Sequence, residues 1–415
     1  MIRVLAAIIV PPHLSASGGA RAGRSLSEAL AGACDVTIAS MSGVDASRPG
    51  RARAHAVQTS LPPWVRLLPQ KYRSLFYRSD IPEIVERGGW DLVHLHNPMP
   101  ALEMARIAAA CRRAGIPYVV STHGFNEVAN GEAAYGFGRL RRLAWRLSVL
   151  GPVARATRGA SAVFALSPAD TGIVSGFGFG GPVSIVPNGV EPADAPGEAA
   201  DRQVWDRFGV LPPERASGLT CMFLGNHTPN KGVPVLLQAF GGLRCPFQLI
   251  VGGEQRDGID YAGAVAKAGP GQTVVVTGRL ADAEVGALLR RADLFVFPTL
   301  ADTFPLVVLE AMAQGCAILA SDVGGIPYQI EDGCGELVRP GDPGLVRDAV
   351  ARLAGQPETV AAMKQAARAR ARARFTWEAA AGQALEGYGR MLGARGAAAA
   401  QRERAPRTQA ATAQP

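Results

Sequence analysis

The sequence predicts an α/β protein built from two parallel-sheet domains, and three observations lead to it. Short Val- and Ile-rich runs alternate with helix-like stretches along the whole chain, each run ends at Gly, Pro or Ser, and a Pro-, Ala- and acid-rich join breaks the rhythm near the middle. The length agrees, because 415 residues exceed what one hydrophobic core usually organises.

In the N-terminal half the candidate strands are IRVLAAIIV, DVTIAS, DLVHLH, PYVVSTH and AVFALS. In the C-terminal half they are TCMFLGN, FQLIVGG, VVVTG, LFVFPT and AILAS. The opening run is short, carries an Arg and stops at a Pro pair, so it reads as a first buried strand before a Gly turn rather than as a secretory leader. The join is VPNGVEPADAPGEAADRQ, residues 186–203, where Asn188-Gly189 marks a turn. These limits give a first domain over 1–186 and a second over 187–375. FTWEAAAGQALEGYGRML, with Thr376 as cap, predicts a packed helix over 376–392, and the low-complexity tail 393–415 is expected to be disordered.

Composition narrows the class. With 48 % hydrophobic and 19 % charged residues the chain has ordinary globular character. Its cysteines, at 34, 111, 221, 245, 316 and 334, form no C-x-x-C pair, which suits reduced thiols and a cytoplasmic setting. No run of about 18 apolar residues is present, so no spanning helix is expected.

Charge is uneven. Residues 1–185 hold 20 Lys and Arg against 11 Asp and Glu, whereas the remainder holds 23 against 24. The excess lies in WVRLLPQKYRSLFYR (64–78) and FGRLRRLAWRLSVLGPVARATR (137–158), where Arg alternates with Leu, Trp, Phe and Val. Such segments suit an anionic membrane surface or an acidic substrate, or form a plain solvated face. No reading-helix motif, zinc pattern or aromatic RNA-binding segment accompanies them, so nucleic acid is not expected.

Three loops have the form that binds anions at the carboxyl ends of open α/β sheets. After the first strand, Gly18 and Gly19 allow close backbone approach before a helix starting near Ala20. A tight turn explains that Gly pair equally well. After CMFLG, Lys231-Gly232 opens a helix, and a Lys there neutralises a diphosphate as a point charge. In FPTLADTFPLVVLEAMAQG, Asp302 and Thr303 sit near the cap, Phe304, Pro305, Leu306 and Val307 form the helix entrance with its free backbone donors, and Glu310 follows about two turns in. Glu310 is placed to accept both hydroxyls of a ribose; read in isolation, Asp302 is a cap and Glu310 a solvated acid.

These stretches, with VPNGVE, FLGNHTPNKG, FQLIVGGE, VVVTGRL and LLRRADLFVFPT in that order, resemble the retaining glycosyltransferases of family 4, over roughly residues 2–392. The resemblance implies a GT-B fold: two Rossmann-like domains facing across a cleft, the final helix crossing back to the first. It implies a nucleoside-diphosphate sugar donor on the C-terminal domain and a varied acceptor, saccharide or lipid-linked, on the N-terminal one. The family's paired acids read here as Asp302-x7-Glu310, the first for hydroxyls of the transferred sugar and the second for the ribose. The Gly18-Gly19 loop and Lys231 would then contact the diphosphate, Leu280 the base, and His123 of VVSTHGF the reacting sugar. His94 and His96, nearer a strand interior, are expected to be structural.

Two positions depart from the pattern: Asp302 is shorter than the usual Glu, and Asn226 stands where an Arg is common, with His227 or Arg279 as candidate substitutes. No D-x-D pair ends a strand, so neither metal nor cofactor is expected, and charge on the leaving group falls to Lys231 and helix N-termini. A nucleotide-sugar epimerase and a non-catalytic sugar-nucleotide-binding protein remain as alternatives. A nicotinamide oxidoreductase does not, because SGGARAG lacks the G-x-G-x-x-G spacing.

Overall fold

A computed structural model describes residues 1–15, 17–43, 50–134, 137–192, 197–256 and 258–404. The N-terminal sheet contains β1 (Arg3–Ile8), β2 (Asp35–Ser40), β3 (Arg53–His55), β4 (Leu92–His96), β5 (Tyr118–Ser121), β6 (Ala162–Ala165) and β7 (Val183–Ile185), in the order β3-β2-β1-β4-β5-β6-β7 and all parallel. The C-terminal sheet contains β8 (Leu219–Leu224), β9 (Phe247–Gly252), β10 (Gln272–Gly278), β11 (Leu294–Phe297), β12 (Ala317–Ser321) and β13 (Gly335–Val338), in the order β10-β9-β8-β11-β12-β13 and also parallel. Each order reverses once, between β1 and β4 and between β8 and β11, which is where open α/β sheets hold ligands. All ten candidate strands are present; the edge strands β3, β7 and β13 carry no buried apolar run and were not legible.

The helices that shape the cleft are α1 (Gly18–Leu30), α2 (Ala101–Arg113), α3 (Phe125–Ala134), α4 (Arg139–Trp145), α5 (Val233–Gly241), α6 (Leu306–Gln314), α7 (Pro357–Arg374) and α8 (Trp377–Arg404). The alternation of side chains along a strand divides the N-terminal core. Leu5, Ala7, Ile9, Val93 and Leu95 pack toward α2, while Val4, Ala6, Ile8, Leu92 and Val119 pack toward α1 and α8. Helix α8 returns to this first domain. Phe375 lies in the C-terminal core, whereas Trp377, two residues on, lies in the N-terminal one together with Ala380, Ala384 and Tyr388.

The crossing is pinned where the two connections meet. Val190 N donates to Phe375 O at 2.7 Å, and the Thr376 hydroxyl caps α8 by accepting from Ala379 N. One boundary differs from the expectation: the backbone of α8 continues past residue 392 to Arg404, since GARGAAAAQRER is rich in strong helix formers. The rest of the expected disordered tail, 405–415, lies outside the described residues.

Tyr388 also reaches a polar group beneath the sheet. His94 Nδ1 lies 2.7 Å from the Tyr388 hydroxyl and its Nε2 2.8 Å from Ser121 Oγ, so His94 is structural, as expected. Its ring packs on His96, centroids 3.9 Å apart, and His96 lies 5.8 Å from His123. Burial holds all three imidazoles neutral, pulling His94 down to about 3, His96 well below its ordinary value and His123 to about 4.

Two measurements follow from these contacts. A Cβ at Gly189 would lie 2.4 Å from Trp377 N, whereas Gly382 on α8 has open space around it. Gly189→Ala is expected to lower the urea midpoint by the equivalent of about 1–3 kcal/mol. Gly382→Ala should leave it unchanged or raise it by up to about 1 kcal/mol. Equal effects of the two substitutions would contradict the described crossing. The histidine row sets the acid limb of stability. The unfolded chain takes these three protons near pH 6.5, while the folded protein refuses those of His94 and His123 until about pH 4 or lower and that of His96 until well below its ordinary value, so stability is complete above pH 6.5 and declines as pH falls. Three such groups lose at most about 4 kcal/mol per pH unit together. Urea midpoints that stay flat between pH 6.5 and 5 would show that the row is protonated in the fold.

Candidate active site

Both sheet reversals open toward the same cleft, and each is closed by a glycine that permits close approach. On the N-terminal side α1 begins at Gly18, two residues before the expected start, with Ser17 as its cap. Gly18 has open space around it, but a Cβ at Gly19 would lie 2.1 Å from Asn97 Oδ1, just past the end of β4. Asn97 Nδ2 donates to Gly19 O at 3.2 Å, so of the Gly pair it is Gly19 that close packing requires.

On the C-terminal side Gly232 adopts a φ of 73°, and a Cβ there would lie 1.9 Å from Pro298 O. The loop after β8 is thereby laid against the loop after β11. Leu300 N donates to Asn230 O at 2.7 Å and Thr299 Oγ1 to the same carbonyl at 2.8 Å. This arrangement brings the Lys231 ammonium into an ion pair with the Asp302 carboxylate, both largely shielded from solvent.

The sequence reading of Asp302 as a helix cap is corrected here. Pro305 is the N-cap of α6, not a residue of its first turn, and Asp302 is turned to Lys231 instead. Glu310 is the fifth residue of α6, little more than one turn in rather than two. It is no solvated acid: Arg21 of α1 reaches across the cleft and donates from Nη2 to Glu310 Oε1 at 2.6 Å. Phe304 contributes only backbone to the cleft, because its ring is buried against Tyr328 and Phe375. Its carbonyl and that of Pro305 accept from Asn188 and Gln329. Leu306 packs on the N-terminal core and Val307 on the C-terminal one, so the entrance of α6 lies at the seam.

The opposite wall holds His123, which follows β5 and is buried, its Nε2 without a partner among the described residues. One turn further, the first residues of α3 contact the other domain. Asn126 Nδ2 donates to Asp302 O at 3.1 Å, and the Thr303 hydroxyl donates to Glu127 Oε2 at 2.7 Å. Burial, reinforced by the charge of Asp302, raises the Glu127 carboxyl above its ordinary range.

Leu280 is half-buried over the end of β9, where it and Leu224 cover Gly252. Of the candidate substitutes at Asn226, His227 is buried, with Nδ1 2.6 Å from the Tyr261 hydroxyl and Nε2 3.2 Å from Gly252 O. Arg279 lies in the solvent near Glu254. Neither forms part of the Lys231–Asp302 contact. Among the described residues no cluster of His, Cys, Asp and Glu is placed to hold a metal ion.

Sequence reasoning missed Arg21, Asn126 and Glu127. Arg21 was within reach of it, because a base one turn into a helix that opens on Gly-Gly points to the same place as the backbone donors. Asn126 and Glu127 were not, since their partners are about 176 residues away in the chain.

Residues 16–194 match the family described as Glycosyltransferase Family 4, and residues 218–356 that described as Glycosyl transferases group 1. A D-inositol 3-phosphate glycosyltransferase of Segniliparus rotundus is 32% identical over 218 residues, 50% of this chain and 46% of the relative. The chain thus spans about half the length of the curated relatives it matches. Among solved structures, a sucrose-phosphate synthase from Thermosynechococcus elongatus superposes with a TM-score of 0.70 at 21% identity, over 95% of this chain and 100% of that one. HepE of Anabaena in complex with UDP-glucose superposes with a TM-score of 0.68 at 17% identity, over 94% and 99%. These likenesses establish the fold, and with the two family matches on its two domains the chain belongs to the family 4, group 1 glycosyltransferases of GT-B fold.

Proposed function

We propose that the protein is a retaining glycosyltransferase that moves a hexosyl-type group from a nucleoside-diphosphate sugar to a saccharide or lipid-linked acceptor in polysaccharide or glycoconjugate biosynthesis. The observation that carries this reading is the pair of ion contacts at the facing sheet reversals, Lys231 with Asp302 and Arg21 with Glu310. Two acids and two bases that neutralise one another in a cleft match what a sugar diphosphate needs: cationic donors for phosphate and carboxylate acceptors for hydroxyls.

On this reading the donor exchanges partners with the protein. Its diphosphate takes Lys231 and Arg21, together with the N–H groups of Leu306 and Val307, which head α6 and have no earlier carbonyl of their own helix to reach. The freed Asp302 then accepts from hydroxyls of the transferred sugar and Glu310 from those of the ribose. Gly18 and Gly19 admit the diphosphate to the start of α1, Leu280 lines the base pocket, and His123 faces the reacting sugar.

The bonds that break join the anomeric carbon to the diphosphate oxygen and the acceptor oxygen to its proton; the bond that forms joins that carbon to the acceptor oxygen on the same face, and the proton leaves with the nucleoside diphosphate. Chemistry of this kind depends on positioning and on fixed charge. Lys231 and the α6 entrance supply that charge, which is the ground for proposing that no divalent metal is required. UDP-glucose in the HepE complex supports a nucleotide-sugar as the donor class. The D-inositol 3-phosphate glycosyltransferase supports a small hydroxylated acceptor, and a Mycobacterium leprae relative named phosphatidyl-myo-inositol mannosyltransferase, 32% identical over 179 residues, supports a lipid-linked one. The basic N-terminal half supports work at the cytoplasmic face of an anionic membrane. No helix among the described residues is long and apolar enough to cross a membrane.

A thermal-shift panel of UDP-, GDP- and ADP-sugars tests donor binding, since ligand at 100 times its Kd stabilises by about 2.7 kcal/mol. Donor binding without labelled product in the presence of acceptors would leave a binding protein. An altered sugar without acceptor would mark an epimerase. Lys231→Ala is expected to lower kcat/KM by about 10² or more, the scale of a lost charge-stabilising donor. An unchanged value would remove Lys231 from the diphosphate site. EDTA should leave turnover essentially intact. Complete loss that Mg²⁺ or Mn²⁺ restores would assign leaving-group stabilisation to a metal instead.

A further inference from the structure

Helix α4 has an unpartnered face. Leu140, Leu143 and Leu147 are 84%, 56% and 70% exposed, and they lie on the side opposite Trp145, whose indole N–H is clasped to Val128 O of α3 at 3.1 Å. The helix continues as a π-turn over Arg146–Leu150 and then over Gly151–Arg158, so three leucines spaced by one turn remain in water on a continuous rod. A second apolar point lies in the turn Pro63–Leu67, where Trp64 is 53% and Leu67 88% exposed. Both segments sit against α2: Ser74–Phe76 and Arg146–Leu150 each contact that helix, and Trp64 packs edge-on against Phe76.

We propose that these faces form one docking surface for an anionic lipid bilayer, and that it presents a lipid-linked acceptor to the cleft. The occupant is argued from charge. Residues 137–158 carry six Arg and no acid, and residues 64–78 carry three Arg and one Lys and no acid. Among the described residues, Arg146 alone of the Arg residues of α4 and its π-turn has a carboxylate, that of Glu132 on α3 at 2.8 Å. Leucines flanked by arginines on one helix face make an interfacial helix, with the apolar side at the acyl boundary and the cations at the headgroups. A second copy of the chain would bring two basic faces together, which repulsion opposes.

The geometry connects this surface to the proposed reaction. Helix α3 carries Asn126 and Glu127 at the cleft, in contact with Asp302 and Thr303, and one residue later Val128 holds α4. The leucine face thus lies across α4 from Val128, about one helix diameter or roughly 10 Å beyond the α3 turn that touches Asp302 and Thr303. The docking surface stands on its own observations, but the role of the acceptor rests on the transferase reading.

Co-sedimentation of the full chain with phosphatidylglycerol-containing vesicles tests the surface. Binding is expected at about 0.01 M salt, with release at about 1 M. Combined Leu140→Gln, Leu143→Gln and Leu147→Gln should lower vesicle affinity at least about 10-fold while keeping far-UV dichroism. Trp64→Ala with Leu67→Gln should act in the same direction. A wild-type chain that stays in the supernatant at low salt, or a triple variant that pellets as the wild type does, overturns the proposal. Dimerisation in sedimentation velocity that the leucine substitutions abolish also overturns it, in favour of a second copy. Pelleting that survives while the sugar-nucleotide panel fails would remove the transferase reading alone. Donor turnover without pelleting would remove the surface alone.

Discussion

The ion pair between Lys231 and Asp302 is the contact on which the cleft depends. It exists because Gly232 takes a left-handed backbone and lets the loop after β8 lie directly on Pro298 after β11. Any side chain at 232 would meet the Pro298 carbonyl, and the two loops would part. Both charges are mostly withdrawn from water, so neither is tolerable alone; breaking such a pair by removing one partner costs about 3–5 kcal/mol. The cleft thus keeps its charges paired, and a sugar-diphosphate donor would exchange those partners rather than meet bare charges.

Arg21 extends the same logic to the other domain. Its contact with Glu310 links α1 to α6 across the cleft, alongside Asn126 to Asp302 and Thr303 to Glu127. Each contact has a polar group from one domain and a polar group from the loop or first turns that precede or begin α6. The seating of one domain on the other and the conformation of the loop before α6 are therefore held by the same contacts. The final helix fixes how the domains meet, because α8 carries Tyr388 beneath the N-terminal sheet to His94 while α7 stays on the C-terminal core.

The histidine row shows what burial does to chemistry at this wall. His94 has partners on both nitrogens, whereas His96 and the Nε2 of His123 have none among the described residues. A neutral imidazole can donate or accept a hydrogen bond but carries no charge with which to meet an anion. Among the described residues, Lys231 and Arg21 each place a positive charge at one of the two sheet reversals.

The sequence by itself determined the strands of the two parallel sheets and a helix after Thr376, because buried strands, turn residues and caps are local patterns that need no partner to be recognised; that this helix returns to the first domain was implied only by the family resemblance. It placed Lys231, Asp302, Glu310 and His123 at loop ends or helix entrances for the same reason, through strand-turn-helix order. It did not fix the start of α6: Pro305 is its N-cap, and Asp302 is turned instead to a lysine 71 residues away. Nor did it reveal β3, β7 and β13, whose edge positions demand pairing but no apolar run. The pairing of Arg21 with Glu310, 289 residues apart, the contacts of Asn126 and Glu127, and the bare leucine face of α4 were decided only by tertiary structure. The reason is physical: a charge finds its partner, and an apolar side chain its cover or lack of it, only when packing fixes which surfaces meet.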